Sequence, residues 1–245
     1  MTESDWATCA DPQLVLMLLR SRGAATDRKY RLFACACCRR VWDRLPHPLN
    51  RGLVVAVEDH PGGRFEDPVI QAAARASSSV EPECSGRPAY WVAKALGRGF
   101  YKLTAAESAA LVACKAMALD DPEYGHRAEV ALFWSAPRGD LAARVVSLPA
   151  PDPAVRAETA AQAALAREVF GNPFRPARFE AGWRTEAVVG LARGVYESRD
   201  FTIMPVLADA LEDAGCGEDG ILAHCRGPGP HIRGCWVVDV VLGKA

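Results

Sequence analysis

The side chains with most chemistry to offer here are cysteines and histidines, gathered in two places. Of nine cysteines, Cys35, Cys37 and Cys38 crowd the stretch FACACCRR, while Cys216, Cys225 and Cys235 share the last thirty residues with His224 and His231. Thiolate and imidazole are the donors that tetrahedral zinc prefers, so Cys216, His224, Cys225, His231 and Cys235 form a candidate ligand set. No C-x-x-C pair occurs within this C-terminal set. The spacing His231-x-x-x-Cys235 would, on a helix, put both side chains on one face. The same thiols also suit a helical core, where cysteine behaves as a small hydrophobe. In that reading Cys216 closes a helix after Gly215, Cys225 packs beneath GPGP, and Cys235 flanks Trp236.

Cys35 is set apart from Cys37 and Cys38 by its neighbours. It lies on a stripe with Arg28, Arg31 and Arg39, and nearby cations lower a thiol's pKa. That makes it the candidate reactive thiol, although no histidine in the same segment offers a base. The arginines are a further signal. Between residues 20 and 44 eight basic residues face only Asp27 and Asp43, a local excess of six. Arg31, Arg39 and Arg40 are therefore candidates for gripping an acidic partner or an anion. Asp209, Glu212, Asp213, Glu218 and Asp219 offer an acidic counterpart within the chain. In RGPGPHIRG, Arg226 and Arg233 would flank an anion at a helix starting near His231. The chain contains no P-loop, H-E-x-x-H or G-x-S-x-G motif and no G-x-G-x-x-G that follows a strand, so catalytic templates have no anchor.

Helices must position these groups. Leu14, Leu16, Leu18 and Leu19 make a first helix, and Asp27 is placed to cap a second over 27–45, stopped by Pro46 and Pro48. Further helices are expected at 51–59, after Asp67-Pro68, from 90, at 104–119, 124–134 and 140–146, with a loop at 77–87. The prolines of 147–153 read as a linker or stiff loop. Helices then follow at 155–170, 185–199, 205–214, 218–225 and 231–242. The β-branched run CWVVDVVLG is ambiguous alone, but a lone strand has nothing to pair with, so it reads as a buried helix. The expected fold is all-α, an irregular multi-helix bundle of about nine to eleven helices. Residues 1–146 and 154–245 are its two regions, or parts of one continuous domain.

Three motifs, RLFACACCRRVW, REVFGNPFRP and ILAHCRGPGPHIRGCWVVDVVLGK, look like those of a family of hypothetical proteins expanded in planctomycete bacteria. The resemblance covers the N-terminal helix pair and nearly all of 160–245, but not 50–150, and it carries no activity. Members of that family often end in CWALDLLLG, which implies a helix there. More faintly, PVLADALEDAGC resembles helical segments that accompany repeats in the same bacteria, implying a module found beside other domains.

Composition narrows the function classes. Half the residues are hydrophobic, a quarter charged, and the net charge is −1. That is an ordinary globular balance with no global pull toward nucleic acid or an anionic membrane. No stretch is apolar enough to span a bilayer, and the polar N-terminus is unlike a signal peptide. The expected setting is the cytoplasm, with thiols reduced. The first functional expectation is a non-enzymatic protein-interaction module without cofactor, contacting an unidentified protein partner through the basic helix and the HCRGPGPHIRGCW turn. A zinc-binding or thiol-dependent protein built on the C-terminal cluster is the alternative, and a hydrolase without recognisable motif is third.

Overall fold

The computed structural model describes residues 1–23, 25–45, 47–61, 67–79 and 153–244. Expectations for residues 80–152, including the helices at 90–146 and nearly all of the proline-rich segment, lie outside them. Among the described residues there are ten α-helices and no strand, so the chain is all-α as expected. It divides into two compact units, Met1–Ala164 and Leu165–Ala245.

In the first unit, α1 (Glu3–Thr8) is opened by a capping box between Thr2 and Asp5. The helix α2 (Pro12–Arg22) has Asp11 as its cap and stops at Gly23, whose φ of 59° is left-handed. Next, α3 (Asp27–Arg40) is capped by Thr26 rather than Asp27, the Thr hydroxyl accepting from the Lys29 N–H. It ends at Arg40, earlier than the expected residue 45, and a 3₁₀ turn follows at Trp42–Arg44. The Arg51 guanidinium donates to the carbonyls of Leu45 and Trp42 at 2.6 and 3.1 Å, bracing the turn where the helix breaks. Pro48 starts α4 (Pro48–Asp59) instead of stopping what precedes it, because proline at the first helical position lacks only an N–H that would be unpaired there anyway. Asp67 caps α5 (Pro68–Ser78) as expected.

Seven apolar or thiol side chains of α3, from Leu32 and Phe33 to Cys37 and Cys38, are buried, and so are Leu53, Val54 and Val57 of α4. Cys35 Sγ rests 3.7 Å from the Val54 carbonyl, joining the two helices. Two arginines close the edges of this core. Arg39 makes a bidentate pair with Glu58, at 3.0 and 2.6 Å, and stacks 4.0 Å over Trp42. Arg40 grips Glu158 of α6 (Pro153–Phe170) at 2.8 Å, and Gln162 donates to the same carboxylate.

The second unit takes the last turn of α6, then α7 (Glu186–Ser198), α8 (Met204–Asp213), α9 (Asp219–Arg226) and α10 (Trp236–Leu242). Val188, Val195, Leu207, Leu211, Ile221 and Val238 are among the residues that form its core. Arg184 donates to the carbonyls of Val240 and Val241 at 2.8 and 3.0 Å, capping α10 from outside. The last segment is helical, but it begins at Trp236 rather than at residue 231. The GPGP break and a turn closed by the Cys235 N–H on the Ile232 carbonyl occupy the intervening residues.

Candidate metal centre

Four donor groups from three parts of the second unit meet in one place. Glu168 stands on the last turn of α6, His224 on the last turn of α9, and His231 and Cys235 on the loop leading into α10. One ligand atom from each lies within 4.8 Å of all the others. Glu168 Oε2 is 3.2 Å from His224 Nε2, and Glu168 Oε1 is 3.3 Å from His231 Nδ1. His224 Nε2 is also 3.2 Å from Cys235 Sγ. Metal–donor bonds of about 2.0–2.3 Å put tetrahedral donors roughly 3.3–3.8 Å apart, so the cluster is close to the size a zinc ion imposes.

The loop geometry makes this meeting possible. Gly229 has φ of 83°, and a Cβ there would stand 2.5 Å from the His231 backbone nitrogen. Only glycine allows the chain to fold back so tightly. His231 Nε2 then lies 3.3 Å from the Gly227 carbonyl. A carbonyl only accepts, so Nε2 carries the proton, and in the neutral ring Nδ1 turns its lone pair toward the cluster. Donation from the far nitrogen to a backbone carbonyl is the usual support of a metal-ligating histidine.

Without an ion, protons hold the cluster together. Burial alone would raise the Glu168 carboxyl, but hydrogen bonds from His224 and His231 outweigh it and bring it down to about 2. The hydrogen bond to Glu168 raises His231, against the opposing effect of burial. Burial, and then the charge of Glu168, pushes the Cys235 thiol well above its ordinary value. A divalent cation reverses this last effect, since a coordinated thiol loses its proton outright.

A nucleophilic relay would need a different layout. In a triad the base contacts the nucleophile through one ring nitrogen and the orienting acid through the other. Here Cys235 and Glu168 both meet His224 Nε2, while Nδ1 accepts from Trp236. Cys235 is fully buried. Groups converging on one point describe a cage, not a relay.

Of the expected ligands, His224, His231 and Cys235 are brought together, although the 231–235 spacing works through a turn and not through a helix face. Cys216 and Cys225 belong to the apolar core instead. Cys216 is fixed by the stop of α8, its N–H on the Leu211 carbonyl and that of Gly215 on Glu212, the two bonds of a Schellman motif. Cys225 follows His224 on α9, so its side chain points about 100° away, into the core. Glu168 was missed. Its signal is a carboxylate three residues beyond Leu165, on the buried stripe of an alanine-rich helix.

The other candidates are placed elsewhere. Cys35 is fully buried, and its thiol is raised well above the ordinary value, first by desolvation and then by Glu58. Arg39 opposes the shift without matching it, which corrects the expectation of an acidified thiol. Arg31 donates to the Pro61 carbonyl at 3.0 Å, and Arg39 and Arg40 are committed to Glu58 and Glu158. Their carboxylate partners therefore do not come from 209–219, where Asp209 and Glu212 instead hold Arg226. Arg233 lies over the Tyr196 ring. Arg226 and Arg233 do not flank a helix start at His231, since α10 begins later.

Comparison of the chain with protein-family models, curated proteins and solved structures finds no match. Among the described residues no helix is long and apolar enough to cross a membrane.

Proposed function

We propose that the chain is a helical protein whose C-terminal unit is organised by one structural zinc ion, held by Glu168, His224, His231 and Cys235. The observation that supports it is the convergence of four donors of three chemical kinds within 4.8 Å. One thiolate and one carboxylate supply two negative charges, which a divalent ion neutralises. Such a site is costly to bury in any other way. One sulfur, two nitrogens and one oxygen suit zinc rather than calcium or magnesium, which take oxygen ligands. Four protein donors leave no open position, the mark of a structural rather than a catalytic ion. The proposed role is non-enzymatic. The ion pins the 227–235 loop between α6 and α9 and so shapes a surface for a protein partner. The seven described cysteines are free thiols, which suits a reducing cytoplasmic setting.

The test is metal analysis of protein purified without chelator or immobilised nickel, combined with thermal melts. About one zinc per chain is expected, with a fall in Tm on chelation. The His231→Ala protein should respond much less to chelator than wild type does. Protein that takes up no zinc, and melts identically with and without chelator, would overturn the proposal.

A further inference from the structure

We infer that Trp236 sets how readily this centre takes its ion, by holding His224 in the tautomer that aims a proton into the cluster. The inference rests on the metal-centre reading above. An indole nitrogen carries one hydrogen and no available lone pair, so it only donates. Trp236 Nε1 donates to His224 Nδ1 at 3.1 Å. In the neutral ring the remaining proton is then on Nε2, which faces Glu168 Oε2 and Cys235 Sγ, each at 3.2 Å. That arrangement satisfies every group while the ion is absent.

An ion needs the Nε2 lone pair. As that lone pair forms the new bond, the Nε2 proton must leave and Nδ1 must take one up. A proton on Nδ1 would meet the indole N–H head-on, so the Trp236–His224 hydrogen bond has to break. The indole is not free to yield. Its ring centroid is 5.0 Å from that of His224. Behind it lies Gly171, with φ of 68°, where a Cβ would come within 3.2 Å of Trp236 Cγ. The chain just beyond Glu168 thus positions both a ligand and the residue that restrains another ligand. His231 is arranged differently: its Nε2–H stays on the Gly227 carbonyl, so loss of the Nδ1 proton it shares with Glu168 is enough to turn a lone pair toward the ion. His231 is the ready ligand and His224 the controlled one.

Two measurements on the full chain test this. The first is zinc affinity of wild type and Trp236→Phe, by competition with a chromophoric chelator at fixed pH. Phenylalanine keeps the ring against Gly171 and removes only the donor that opposes a proton on Nδ1 of the 18 % exposed His224 side chain. Zinc should bind about fivefold tighter to W236F, the worth of one neutral hydrogen bond. The second is the ¹⁵N spectrum of metal-free wild type, which should show His224 protonated on Nε2. Equal or weaker zinc binding by folded W236F overturns the inference alone, as does a proton found on Nδ1. Zinc uptake by neither protein overturns the metal-centre reading and the inference with it. If the melt shows that W236F does not fold, the tautomer decides.

Discussion

Replacing Glu168 with glutamine keeps the side chain's shape and removes one charge at the point where all four donors meet. Two opposing effects decide the outcome. Burial penalises the carboxylate, and on that ground alone a neutral isostere would stabilise the protein. The imidazoles of His224 and His231 act the other way, and the carboxyl falls from 4.5 to about 2. A drop of that size corresponds to about 3 kcal/mol in favour of the folded state at neutral pH. Because the folded pKa is depressed, this contribution is fully present above the unfolded value of 4.5 and is lost as the pH falls toward 2. In chelator at pH 7, Glu168→Gln should therefore cost about 3 kcal/mol by urea denaturation, and less than half of that near pH 3. Zinc at a hundred times its dissociation constant should add about 2.7 kcal/mol to wild type and little to the variant. A glutamine variant as stable as wild type at pH 7 in chelator would refute the reasoning, since desolvation would then have won.

Three further outcomes follow from the same structure. Gly229→Ala, whose Cβ would stand 2.5 Å from the His231 nitrogen, should weaken zinc binding at least tenfold, about 1.4 kcal/mol, by competition titration. In metal-free protein the raised His231 contributes stability that is full below 6.5 and lost as the pH rises through its folded pKa; His231→Ala should abolish that loss in denaturation curves taken above neutral pH. Arg40→Ala leaves the buried Glu158 with Gln162 alone and should cost about 2 kcal/mol by urea denaturation, less than a fully buried pair because the arginine side chain is 38 % exposed.

Local rules made most of the helices legible. Asp67-Pro68 and Asp11-Pro12 announce helix starts through a side-chain oxygen and a fixed φ, and both helices begin where those signals stand. The failures have equally local causes. Pro48 reads as a stop, but a proline can equally open a helix, and the His47 side chain, which accepts from the Leu49 N–H, caps the one that begins here. The stretch 231–235 keeps a helical spacing of donors without being helical, because Gly229 folds the chain back and Cys235 starts the helix afterwards. Glu168 lies 56 residues before His224 in the chain. Its part in the site depends on packing between α6 and the C-terminal helices, which no spacing within one segment records.

The cysteines divide for a reason that residue type cannot express. Cys35, Cys37, Cys216, Cys225 and Cys235 are all buried, and burial raises every one of their thiols. Desolvation therefore gives no means of telling a core thiol from a ligand. What separates Cys235 is its company: among the described residues it alone of the seven cysteines shares a donor cluster with imidazole and carboxylate. For the other buried thiols desolvation is the largest cause of the rise. Around Cys235, Glu168 raises the cost of a thiolate until a cation arrives, and the same two anions then hold that cation together. A residue that repels charge in the empty site and binds it in the filled one gives the centre a steep preference between a proton and a metal ion. Comparing Cys235→Ser with Cys225→Ser separates the roles: each should fold, but only the first should lose zinc, and equal zinc content in both would remove the thiol from the centre.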